Sequence, residues 1–175
     1  MIQDVWKKFD EIELSHSAVH HLMAVYTLIK ERGYARGIDV ARYLDLTRGS
    51  VAITLNKLRD KGYLVEDENK FFQLSESGMT LINKVLTKRK VLQQFFEDVL
   101  KLEPNQAEAE ACKVEHLVSR DMIARLMQLN QLLLARGGES VKILAGMEKF
   151  VESCNSQTDC RYCETECLYS GKREK

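Results

Sequence analysis

The sequence predicts a mainly α protein, and three observations lead there. A single proline, Pro104, occurs in 175 residues, so the chain lacks the turn punctuation of loop-rich and all-β folds. Apolar residues recur at helical spacing over most of the length, and only residues 63–74 switch to the period of a strand pair. An apolar fraction of 45% is enough to bury a core and excludes a disordered chain.

Residues 1–14 read as a short amphipathic lead-in. Ser15 and Ser17 then offer caps to a helix whose Leu22, Val25, Tyr26 and Ile29 repeat at three- and four-residue steps, until Gly33 stops it. A shorter helix over residues 38–44 carries Ile38, Val40, Ala41 and Leu44. After the turn Asp45-Leu46-Thr47, a stronger one runs over 48–61 with Val51, Leu55 and Leu58 as its buried stripe, closed by Gly62. Tyr63-Leu64-Val65-Glu66 and Lys70-Phe71-Phe72-Gln73-Leu74 flank the polar tip Asp67-Glu68-Asn69 as a β-hairpin. Two helices joined by a tight turn and followed by a hairpin make a winged helix-turn-helix, whose second helix enters a DNA major groove.

Helix resumes after Ser75 over residues 76–100, about 37 Å at 1.5 Å per residue. Pro104 starts another through Cys112 to about Val118, and two more cover 121–135 and 139–152, parted by Arg136-Gly137-Gly138. Residues 153–175 are polar and cysteine-rich and have no periodicity.

The 26 basic and 26 acidic residues cancel, so no global positive field marks a nucleic-acid partner. Locally the balance differs. Between Thr47 and Lys61, Arg48, Lys57, Arg59 and Lys61 face the single acid Asp60, and such an excess suits phosphate contacts. Thr47, Arg48, Gly49 and Ser50 form the helix start, where backbone N–H groups and small polar side chains meet phosphates and base edges. Arg48 is the candidate for a base or phosphate contact, Ile53 for a thymine methyl, and Lys57 for the backbone. The bland reading of the same stretch is a solvated helix face, which the helix–turn–helix–hairpin order disfavours.

Cys112, Glu115 and His116 stand at i, i+3 and i+4, on one helix face. Thiolate, carboxylate and imidazole there supply three donors to a divalent transition metal, with a fourth from elsewhere in the fold. Spacing alone equally accommodates a core cysteine beside a surface Glu–His pair. Cys154, Cys160, Cys163 and Cys167 form a second cluster, whose compactness fits a [4Fe–4S] cluster, a Zn(II) knot or free thiols. The chain shows no start-proximal apolar run and no apolar stretch of about 18 residues, so it reads as cytoplasmic, with no membrane partner. Glycine-rich phosphate loops, a nucleophile elbow and a further acid–base pair are absent from the sequence, which argues against an enzyme.

From Ser17 to about Leu129, roughly two thirds of the chain, the sequence resembles the diphtheria-toxin-repressor family of iron- and manganese-dependent regulators. The carrying residues are Leu22-Met23-Ala24-Val25-Tyr26, Val51 through Tyr63-Leu64-Val65, Leu74-Ser75-Glu76-Ser77-Gly78, and Cys112-Lys113-Val114-Glu115-His116-Leu117-Val118-Ser119. The resemblance implies a homodimer that binds a palindromic operator in double-stranded DNA when loaded with metal. It assigns the metal to Cys112, Glu115, His116 and His20, the last at a position where relatives carry methionine or aspartate. Thiolate and imidazole favour Fe(II) over Mn(II), and Zn(II) also suits the set. Because ligands must be deprotonated, activation should weaken as pH falls. His16 and His21 read as surface residues.

The family's ancillary metal uses a histidine where this chain has Arg89, with Gln93 one turn on and Met23 at another ligand position. Arginine offers no lone pair, so the two-metal centre is expected to be missing. Arg89 would supply the second metal's charge in fixed form, paired with Glu108. The expected domains are a winged helix-turn-helix over 1–75, a helical metal-binding and dimerisation domain over 76–152, and the cysteine tail over 153–175. The leading function is a metal-dependent repressor. The alternatives are a winged-helix redox or iron–sulfur sensor acting through the tail, and a metalloprotein adaptor that does not bind DNA.

Overall fold

The structure of the protein, a computed structural model, describes residues 14–135 and 138–153, with the side chains of 147–153 left out. Helix α1 spans His16–Arg32, capped by the Ser15 hydroxyl and closed by Gly33 in the left-handed conformation at φ 81°. Helices α2, Gly37–Leu44, and α3, Arg48–Asp60, follow, and the Thr47 hydroxyl caps α3 by accepting from the Ser50 amide. Strands β1, Leu64–Glu66, and β2, Phe72–Leu74, pair antiparallel with Leu64 opposite Leu74 and Glu66 opposite Phe72. The wing tip is built by Asp67, whose carboxylate accepts from the amides of Asn69 and Phe71. One further bridge joins Arg36 to Phe71, and the Arg36 guanidinium lies 4.2 Å above the Phe71 ring.

These elements enclose one core. Leu22, Val25 and Leu28 of α1, Val40 of α2, Val51, Leu55 and Leu58 of α3, Phe72 of the wing and Ile82 of the next helix are buried together. That next helix, α4, spans Glu76–Gln94, and its Ser75 cap does double duty. The hydroxyls of Ser75 and Ser77 both donate to the Gly62 carbonyl, at 2.6 and 2.7 Å. Gly78 lies so close to the Tyr63 carbonyl that a Cβ there would overlap it.

The single helix expected to reach residue 100 does not stay α-helical. Phe95–Val99 form a π turn, with the Leu100 amide bonding back to Phe95. Helix α5, Pro104–Val114, is shorter than the sequence suggested, because the chain turns at 115–117. Ala107 and Ala111 are fully buried on it, and small residues there let the backbone approach its neighbours. A second core forms from Val91 and Leu92 of α4, Ala111 of α5 and Ile123 of α6, Arg120–Leu134.

The chain divides into a compact unit up to Met127 and a second one from Gln128. The second holds the end of α6 and helix α7, Gly138–Ser153, with the Ser140 hydroxyl donating to the Leu132 carbonyl. Leu129, Leu132, Val141 and Ile143 are exposed on it. Among the described residues no helix is long and apolar enough to cross a membrane.

Candidate functional site

Helix α1 has two working faces. One carries Leu22, Val25 and Leu28 into the core of the winged helix-turn-helix. The other carries His16, His20 and Met23, spaced by four and three residues, toward α4 and the end of α5. The His20 Nε2 atom lies 3.2 Å from the Cys112 thiol, a contact between residues 92 apart in sequence. His16 packs edge-on to His20 with ring centres 4.3 Å apart, and its Nδ1 is 3.4 Å from Nδ1 of His116. Ligand atoms of His16, His20 and Cys112 all lie within 4.8 Å of one another.

Burial sets the protonation of this cluster. It holds the His20 imidazole below its ordinary value, and the neighbouring His16 and Arg89 charges push the same way. His116 is lowered by burial first and by His16 second. Burial also pushes the Cys112 thiol up, against the pull of Arg89. The downward shifts of His20 and His116 favour the lone pair that a metal needs, whereas the thiol must lose its proton to ligate. Neutral imidazole nitrogens beside a thiol fit a borderline-soft divalent ion such as Fe(II) or Zn(II).

Glu115 is engaged elsewhere. Its side chain is 1% exposed, and Arg89 donates to both carboxylate oxygens, from Nε at 2.6 Å and from Nη2 at 2.7 Å. The same Nη2 lies 3.4 Å from the Met23 sulfur and 3.8 Å from the Cys112 sulfur. The expected pairing of Arg89 with Glu108 is thus corrected. Glu108 is exposed and contributes only its charge at longer range, because Glu115 is the carboxylate that faces the guanidinium fork.

One histidine assignment also changes. His21 was read as a surface residue but is 2% exposed, with Nδ1 donating to the Ser17 carbonyl at 2.7 Å. It shares the buried stripe with Val25 and Leu28, four and seven residues on. His16 is exposed, as read, yet it sits inside the cluster rather than on open surface. The signal missed was its four-residue step to His20, which mirrors the step from Cys112 to His116.

On α3 the buried residues are Val51, Leu55 and Leu58. Thr47, Arg48, Gly49, Ser50, Ile53 and Lys57 are all exposed, and Ile53 is 58% exposed despite being apolar. Arg59 is committed to Glu66 at 2.6 Å and Asp60 at 3.2 Å, so it is less available to DNA than its charge suggested. Cys154, Cys160, Cys163 and Cys167 lie outside the described residues.

Comparisons with known proteins bear on both faces. The family described as iron dependent repressor, N-terminal DNA binding domain, matches residues 13–70, and its metal binding and dimerisation domain matches residues 75–133. An uncharacterized HTH-type transcriptional regulator of Methanocaldococcus jannaschii is 30% identical over 65% of this chain and 91% of its own length. The iron-dependent repressor IdeR of Mycobacterium tuberculosis is 27% identical over 67% of this chain, which spans about half of that protein, 51%. The solved manganese regulator SloR superposes with a TM-score of 0.58 at 20% identity, over 64% of this chain and 52% of its own. At that identity the superposition shows a shared fold and nothing finer.

Proposed function

The chain belongs to the diphtheria-toxin-repressor family of metal-dependent transcriptional repressors, and from that premise we propose an Fe(II)-activated homodimer that grips a palindromic operator. The observation that carries this reading is the 3.2 Å approach of His20 to Cys112. It joins α1, which is built into the reading head, to α5, which is built into the second core. A divalent ion supplies a bond among His20, Cys112 and His116 that neither core provides.

His20 and Met23 then hold α1 against α4 and α5, and the reading head follows because Leu22, Val25 and Leu28 sit in its core. Any preference of the metal for this arrangement is returned as tighter DNA binding, since the two affinities are linked. Arg48 and Lys57 meet phosphates, with Thr47, Gly49 and Ser50 at the helix start and Ile53 against a base edge. The exposed Leu129, Leu132, Val141 and Ile143 support a dimer contact in the second unit.

The test is fluorescence anisotropy without oxygen, on duplexes that the Fe(II)-loaded protein itself selects from a random pool. Fe(II) should tighten binding and a chelator should reverse it. Cys112→Ala should remove the Fe(II) increment, and an unaltered Fe(II) dependence in that variant would refute the reading.

A further inference from the structure

We propose that the metal ligands of this chain are His16, His20, Cys112 and His116, and that Arg89 withholds Glu115 from the metal. The inference rests on the metal-dependent reading above and names the ligand set.

The four residues form two matched pairs. His16 and His20 are one helical step of four apart on α1, and Cys112 on α5 and His116 in the turn just past its end are also four residues apart. Residues four apart on α1 project from one helix face, and the turn after α5 brings His116 against His16, so the two pairs offer four donors to a common centre. Metal–nitrogen bonds of about 2.0 Å and metal–sulfur bonds of about 2.3 Å place neighbouring ligand atoms of a tetrahedron roughly 3.3–3.7 Å apart. Two of the edges are already close to that length, 3.2 Å from His20 to Cys112 and 3.4 Å from His16 to His116. The atoms of His16, His20 and Cys112 need only close in from within 4.8 Å. His16 is the link in this geometry, touching the ring of His20 on one side and that of His116 on the other.

Glu115 is the residue that the pairing leaves out. Ligating a metal would cost it two charge-assisted bonds to Arg89 and would leave a largely buried guanidinium without its counter-charge. A chain without a histidine at position 16 would need the carboxylate to complete its coordination. This chain has a fourth imidazole-or-thiol donor in place and can leave the ion pair intact. Three imidazole nitrogens and one thiolate sulfur form a soft donor set, which favours Fe(II), Co(II) and Zn(II) and disfavours Mn(II), a harder ion that is served by carboxylate oxygen.

Co(II) titration of the full-length protein without oxygen, in competition with a chelator, reads both affinity and geometry. Tetrahedral Co(II) gives intense visible ligand-field bands, and a bound thiolate adds charge-transfer absorption. His16→Ala alters an exposed side chain, so the fold should survive. It should weaken Co(II) binding by about 100-fold and collapse the tetrahedral bands, more than the loss of an outer-sphere partner does. The double variant Arg89→Met/Glu115→Gln removes the ion pair as a unit, and it should keep the bands and the affinity within about threefold. The proposal is overturned if His16→Ala keeps both, or if the double variant loses the bands while remaining folded by circular dichroism. If His20→Ala and Cys112→Ala also bind Co(II) as the parent does, the metal centre itself is misplaced, and that failure is distinct from a wrong ligand list.

Discussion

Replacing Arg89 by alanine should destabilise the metal-free protein far more than an ordinary surface change. Glu115 is 1% exposed, and the two hydrogen bonds given to its carboxylate, at 2.6 and 2.7 Å, both come from Arg89. Removing one partner of a buried pair leaves an uncompensated charge, worth about 3–5 kcal/mol. Hydrogen bonds to charged groups contribute about 1.5–3 kcal/mol each, so two of them give a similar total. For a chain of this size 1 kcal/mol moves the melting temperature by roughly 2–4 °C, so the expected drop is about 6–20 °C. Thermal and urea unfolding in chelator, followed by circular dichroism, measure it. Arg89→Met/Glu115→Gln should recover most of the loss, because no charge is stranded and the Met side chain fills space beside Met23 and Cys112. An Arg89→Ala protein within about 1 kcal/mol of the parent would refute the reasoning. A double variant no better than the single would assign the loss to packing instead of charge.

Four other outcomes are expected. Thr47→Ala should cost about 1 kcal/mol by removing the cap on the Ser50 amide, read as a shift in the urea midpoint. Lys57→Ala, which changes an exposed cation on α3, should lower the slope of log affinity against log salt by about one for any duplex, with sequence preference kept. Gly78→Ala would drive a Cβ into the Tyr63 carbonyl and should destabilise by about 1–3 kcal/mol, seen in thermal melts. Because burial raises the Cys112 thiol, metal binding displaces its proton at neutral pH. Affinity should therefore fall by about tenfold per pH unit as pH drops, which competition titrations at several pH values would register, and Cys112→Ser should flatten that dependence.

The parts legible in sequence were those decided within a few residues. Ser15, Thr47 and Ser75 announce helix starts, Gly33 an end and Pro104 a first turn, because capping and φ preference are local chemistry. The wing was legible from its change of period around Asp67. What escaped needed contacts across the fold. Glu108 and Glu115 are two helical turns apart on neighbouring parts of the chain, and only the packing of α4 against α5 decides which one meets Arg89. The π turn at Phe95–Val99 has no sequence signature beyond two adjacent aromatics. His21 could have been placed by periodicity alone, since it lines up with Val25 and Leu28, but its polar ring argued for the surface.

The clamp of Ser75 and Ser77 on the Gly62 carbonyl has a consequence for how information passes through the molecule. Gly62 follows directly on the end of α3 and Tyr63 leads into the wing, so the base of the reading element is fastened to the start of α4 on both sides of the turn. A displacement of the start of α4 would therefore have to carry the end of α3 and the base of the wing with it, or break both hydroxyl bonds to the Gly62 carbonyl.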